Sequence, residues 1–185
     1  NNFRPKKILM FEPQEEIFDF LKKKYSDNKD IYLFNKALSN ENKSAKFNFN
    51  KHNLTSSLSS LDPDNSYLKL KAKLFGTTSK GMIIDTKTIQ TTTLFSILEK
   101  ENMESIDFLK IDTEGHELEV LQGMREKINK VRRILVEFHI DEIYISYNPE
   151  FLHQFLISNN FELVKKFKFP FTTWEDRLYV NQSIN

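Results

Sequence analysis

Four short apolar runs constrain this chain more than any other feature: Lys7-Ile8-Leu9-Met10-Phe11, Ile31-Tyr32-Leu33-Phe34, Ile106-Asp107-Phe108-Leu109-Lys110-Ile111 and Arg133-Ile134-Leu135-Val136-Glu137-Phe138. Each is too short for a core helix and too apolar for a strand with one wet face. Each therefore reads as a strand buried on both sides. Helical signals follow three of them. Glu12-Pro13-Gln14-Glu15-Glu16 puts proline and acids in a first turn, ahead of Ile17, Phe18, Leu21 and Tyr25 at helical spacing. Leu118, Leu121 and Met124 mark a second helix ending near Gly123, and Asn148-Pro149 opens a third with Leu152, Phe155 and Leu156 inward. Strands alternating with helices predict an α/β fold: a mostly parallel sheet with helices on both faces and right-handed crossovers.

The remaining segments fit this plan. Ala37-Leu38-Ser39 continues the second strand, and Ala45-Lys46-Phe47-Asn48-Phe49 alternates as a half-exposed strand does. Residues 50–80 are polar and read as a lid or mobile connection, in which Ser56-Ser57-Leu58 lines a substrate mouth or, as the default, lies in a solvated loop. Met82-Ile83-Ile84 forms a short strand, and Thr91-Thr92-Thr93 caps a helix carrying Leu94, Ile97 and Leu98. Phe161-Glu162-Leu163-Val164 and Arg177-Leu178-Tyr179-Val180 close the chain as a strand pair. No repeat or second domain is visible, so residues 1–185 read as one domain.

Composition removes several function classes. A net charge of +1 offers no field to draw in nucleic acid or an anionic membrane. The absence of cysteine excludes disulfides, zinc-thiolate sites and thiolate catalysis, and fits a reducing, cytoplasmic setting. No run is long enough to span a membrane, and the first residues do not spell a signal peptide. With only 4 glycines, the chain has no Gly-x-Gly-x-x-Gly loop to bring backbone against a nucleotide.

The chemistry-bearing residues gather at predicted strand ends, where open α/β sheets bind ligands. Glu12 follows the first run; an acid there accepts hydrogen bonds from ribose hydroxyls, or satisfies a helix N-terminus. Asp112 and Glu114 end the third run in Asp112-Thr113-Glu114-Gly115. Paired carboxylates raise one another's pKa and serve as a base toward a hydroxyl. A divalent cation is compatible with their oxygens but is not predicted; alternatively, Thr113 and Glu114 merely begin the next helix. His139 ends the fourth run two residues after Glu137, as a base, a metal ligand or a strand cap. His116 is a weaker candidate, in a helix first turn, and His52 and His153 read as surface residues.

Several of these spellings occur together in one family. Phe11-Glu12-Pro13, Ala37-Leu38-Ser39, Thr91-Thr92-Thr93-Leu94, Asp107 to Glu117, Leu121-Gln122-Gly123 and Val136-Glu137-Phe138-His139 resemble, in order and spacing, the FkbM-type methyltransferases. The resemblance runs from about residue 7 to residue 140. It implies a Rossmann-like fold and S-adenosylmethionine as cofactor, with methyl transfer to a hydroxyl of a sugar or other small natural product. Carried over, Glu12 holds the ribose, Ala37 and Leu38 lie along the adenine, and Asp112 stands beside the methionine part. Glu114 and His139 lie near the acceptor. Such domains begin with a strand and a loop resembling Asp-x-Gly-Ala-Asn-x-Gly. This chain starts at what reads as the second strand, so the domain is expected to be N-terminally incomplete, the absent strand belonging between 7–11 and 106–111. Two rivals remain: a non-catalytic domain of the same fold, and a nicotinamide-dependent oxidoreductase using Glu12 on ribose.

Overall fold

The first unit consists of β1 (Ile8–Phe11), α1 (Glu15–Lys24) and β2 (Ile31–Phe34), in a computed structural model that describes residues 5–50, 56–168, 170 and 172–184. His52 lies outside the described residues. β1 and β2 pair in parallel, Ile8 opposite Ile31 through Phe11 opposite Phe34, and the Phe11 and Phe34 rings stack at 4.9 Å. In α1 the acids Glu15 and Glu16 sit at the positive end and Lys22, Lys23 and Lys24 at the negative end, as the helix dipole favours. Pro13 precedes the helix rather than joining its first turn.

The second unit corrects two expectations. Ala37-Leu38 does not continue β2; it forms β3 (Ala37–Leu38), which pairs in parallel with the end of β5 (Ile83–Thr92). The expected short strand at 82–84 is a ten-residue one, paired antiparallel along β4 (Ser44–Asn50). Its Thr- and Gln-rich sequence disguised a strand with a wet face. The polar stretch before it contains α2 (Ser66–Leu74), capped by the Asn65 side chain, which accepts from the Leu68 N–H. Thr93 caps α3 (Leu94–Lys100) in the same way through Ser96 N–H, as expected.

The third unit follows the sequence closely. β6 (Leu109–Ile111) lies parallel to β7 (Arg133–His139), with α4 (Glu117–Gln122) between them in sequence. The Asn148 side chain caps α5 (Pro149–Ser158). β8 (Phe161–Lys168) and β9 (Trp174–Asn181) form the expected antiparallel pair, longer than the sequence implied, and β9 pairs along all of β7. The strand order is β6-β7-β9-β8.

The architecture is thus mixed α/β, not one mostly parallel sheet: among the described residues, nine strands fall into three sheets with both kinds of pairing. β4, β8 and β9 carry polar residues on one face, and such strands tolerate antiparallel ladders open to water. β1 and β6 do not bond to one another, and each ends its sheet. The main core joins Leu94 and Leu98 of α3, Val120 and Leu121 of α4, Ile134, Val136 and Phe138 of β7, and Leu152 and Leu156 of α5. Burying each such side chain contributes roughly 1.5–3 kcal/mol. A smaller cluster unites Leu61, Leu68, Ala72, Met82, Ile143 and Tyr144. No described helix is long and apolar enough to cross a membrane.

Candidate active site

β6 ends at buried Ile111, and the chain then turns sharply through Asp112, Thr113, Glu114 and Gly115. Glu114 and Gly115 adopt φ of 55° and 89°, in the left-handed region. A Cβ on Gly115 would stand 2.6 Å from the Tyr144 ring, so only glycine fits. Glu117, fully buried, folds back on this turn: its Oε1 accepts from Thr113 N (2.9 Å), Thr113 Oγ1 (3.1 Å) and Gly115 N (3.1 Å). Two serines grip the turn from the other side. Ser57 Oγ lies 3.0 Å from Thr113 O and 2.7 Å from Glu114 O, and Ser59 Oγ donates to Gly115 O at 2.7 Å. The expected solvated loop at 56–58 is instead a clamp, with Ser57 3% exposed. Its backbone pairs with Asn48, which tucks it under β4.

A cavity of about 140 Å³ opens beside this turn, lined by Glu12, Ala37, Leu38, Phe47, Asp112 and His116, among others. Glu12, Ala37, Leu38 and Asp112, the four residues that the sequence reading placed on the cofactor, thus come together from three separate segments. The volume is below the ~300–1,000 Å³ that encloses a drug-sized ligand. Glu12 ends β1 with Oε1 accepting from Gln14 N at 2.7 Å, and burial pushes its carboxyl above the usual range. It serves the helix entrance and faces the cavity at once. His116 lines the same wall, its Nε2 3.0 Å from Ser39 Oγ, and burial holds its pKa below the ordinary value. It is better placed than its helix-start position implied. Asp112 pairs with Lys110 at 3.4 Å.

Glu114 and His139 stand apart from this cavity, in a buried cluster on the far side of Thr113. Glu137 and His139 project from one face of β7, as the period of two requires. His139 Nε2 lies 3.3 Å from Glu137 Oε2 and 4.0 Å from Glu114 Oε2. Tyr144 donates to Glu114 Oε2 at 2.5 Å, and the His139 backbone N–H donates to the Tyr147 hydroxyl at 3.1 Å. Both tyrosine rings meet the imidazole edge-on. Burial raises the Glu114 carboxyl to about 7 despite the Tyr144 hydrogen bond. Burial also opposes a charged His139 ring, but Glu137, Glu117 and Glu114 outweigh it and lift its pKa. A carboxyl poised near neutrality beside an imidazole can accept a proton from a hydroxyl.

Sequence reasoning missed Glu117, Glu137 and Tyr144 as members of this site, and named Ser57 only as a residue of a substrate mouth or solvated loop. Glu137 alone gave a signal, two residues before His139 on a buried strand. His153 was read as a surface residue, but its Nδ1 lies 2.8 Å from the hydroxyl of buried Tyr179.

The Methyltransferase FkbM domain model matches residues 3–163. Among solved structures, the methyltransferase FkbM from Methylobacillus flagellatus KT is similar, at 15% identity and a TM-score of 0.54. That similarity covers 95% of this chain and 36% of the other, so the chain spans little more than a third of that protein's length. A comparison with curated proteins finds no match.

Proposed function

The chain belongs to the FkbM methyltransferase family, and on that premise we propose that it takes a methyl group from S-adenosylmethionine to a hydroxyl oxygen of a sugar or other small natural product. The observation that carries the reading is the cavity lined jointly by Glu12, Ala37, Leu38 and Asp112. Its chemistry fits a nucleoside end: a carboxylate for ribose hydroxyls and an apolar wall for a base. The β1-α1-β2 and β6-α4-β7 units, each a parallel strand pair around a helix, support a Rossmann-like arrangement.

When bound, the donor supplies a methyl group on a sulfonium, open to in-line attack. Glu12 binds the ribose through the oxygen that Gln14 leaves free. Asp112, on the cavity wall at the end of β6, orients the methionine part. Glu114, next in the chain after the wall residues Asp112 and Thr113 and with His139 beside it, would take the proton of the acceptor hydroxyl as its oxygen takes the methyl from sulfur, leaving the neutral thioether. Positioning the two partners supplies much of the acceleration.

The small cavity favours a second reading, a non-catalytic domain of the same fold. Calorimetry with S-adenosylmethionine separates the two: saturable binding is expected, and a folded chain that takes up no donor supports the non-catalytic reading. Transfer of labelled methyl to a panel of saccharides and small hydroxylated acceptors is expected to vanish in Asp112→Ala with the fold intact. Unchanged turnover in that variant would remove Asp112 from the mechanism.

A further inference from the structure

We propose that Glu114, Glu137 and His139 form a binding site for a divalent transition-metal ion beside the methyl-transfer cavity. One donor atom from each lies within 4.8 Å of the others. Two of the separations, 3.3 Å and 4.0 Å, are those of donors sharing one ion, because metal–ligand distances of about 2.0–2.2 Å put two ligands no more than ~4.4 Å apart. The two carboxylates need only draw slightly together.

Burial sets this group apart from an ordinary acidic surface. His139 is 4% exposed, and its Nε2 faces Glu137 Oε2 at 3.3 Å and Glu114 Oε2 at 4.0 Å without the alignment of a hydrogen bond to either. Among the described residues the only other buried side-chain atom in that condition is Glu117 Oε2, on a carboxylate electrostatically coupled to the same imidazole. Buried polar groups are nearly always satisfied, and both exceptions belong to one cluster. A cation accounts for the first directly, since it accepts the imidazole lone pair and neutralises the packed Glu114 and Glu137 carboxylates, and it offsets the nearby Glu117 charge.

The supporting contacts are those of a metal site. Tyr144 orients Glu114 by a hydrogen bond from outside the group, and the β7 backbone fixes the spacing of Glu137 and His139. Two carboxylates with one imidazole and no thiolate suit Mn²⁺ or its neighbours rather than a soft ion. Three protein ligands leave open coordination positions, as in catalytic rather than structural metal sites. What the ion does for an acceptor hydroxyl rests on the proposed function; that it binds does not.

The test uses the full chain, stripped with a chelator and titrated with Mn²⁺ alone, without a methyl donor. One ion per chain is expected, weakened by about tenfold or more in Glu137→Gln. Pulsed electron paramagnetic resonance of bound Mn²⁺ is expected to show coupling to one nitrogen, lost in His139→Gln. The nitrogen signal is read on the unaltered protein and does not depend on the variants folding. No saturable Mn²⁺ binding, or binding without nitrogen coupling, would overturn the site. The same preparation titrated with S-adenosylmethionine scores the functional reading separately.

Discussion

Glu12 is the residue whose two duties are most easily pulled apart. Its carboxylate accepts from Gln14 N–H and faces the cavity, and burial raises its pKa above the usual carboxylate range. A raised acid stabilises the fold fully below the unfolded pKa and loses that contribution as pH rises through the folded one. Glu12→Gln, which never ionises, should therefore gain stability relative to the parent as pH climbs out of the carboxylate range. The same variant should bind S-adenosylmethionine about tenfold or more weakly, the worth of a hydrogen bond to a charged group. Thermal melts across pH and calorimetry check the two halves; a variant losing ground at high pH would contradict the burial argument. Asp112, Glu114 and His139 were legible because each ends an apolar run. Ser57 and Glu117 were not. A serine in a polar stretch and an acid in a first turn look solvated, and only the fold shows that they hold the turn.

At the level of elements, the most restrictive contact is between the end of α4 and the end of β3. Gly123 caps α4 in ordinary helical conformation, φ −66°, so backbone freedom is not why it is glycine. A Cβ there would stand 2.1 Å from the Ser39 carbonyl oxygen. Gly123→Ala must push the two segments apart, at a cost of about 1–3 kcal/mol. That corresponds to a fall of several degrees in melting temperature. A melt within a degree of the parent's would mean that the junction yields freely. Ser39 also contacts His116, so the same displacement reaches the cavity wall. The sequence marked Gly123 as a helix end but could not show what lay against it. β7 and α5 were legible because apolar spacing and Asn148-Pro149 agree; α2 was obscured because few of its residues, Leu68 and Ala72 among them, are buried.

Across the whole molecule, stability is unevenly spread. β7 is flanked by β6 and β9 and packs its apolar residues into the main core, whereas β1 and β2 form a two-stranded sheet beneath α1, a helix with no fully buried residue. Two-stranded sheets are marginal by themselves. Hydrogen exchange should therefore release the amides of β1, α1 and β2 well before those of β7 and β9. Equal protection would show that the first unit opens only with the rest. The α/β character was legible from alternating strand and helix signals; the division into three sheets was not, because periodicity identifies strands without naming their partners. The late position of β9 has a further consequence during synthesis. Glu137 and His139 leave the ribosome on a strand whose antiparallel partner β9 is made about 35 residues later. Until then β7 presents one open edge, a row of unpaired backbone groups that a chaperone could shield from pairing with another chain.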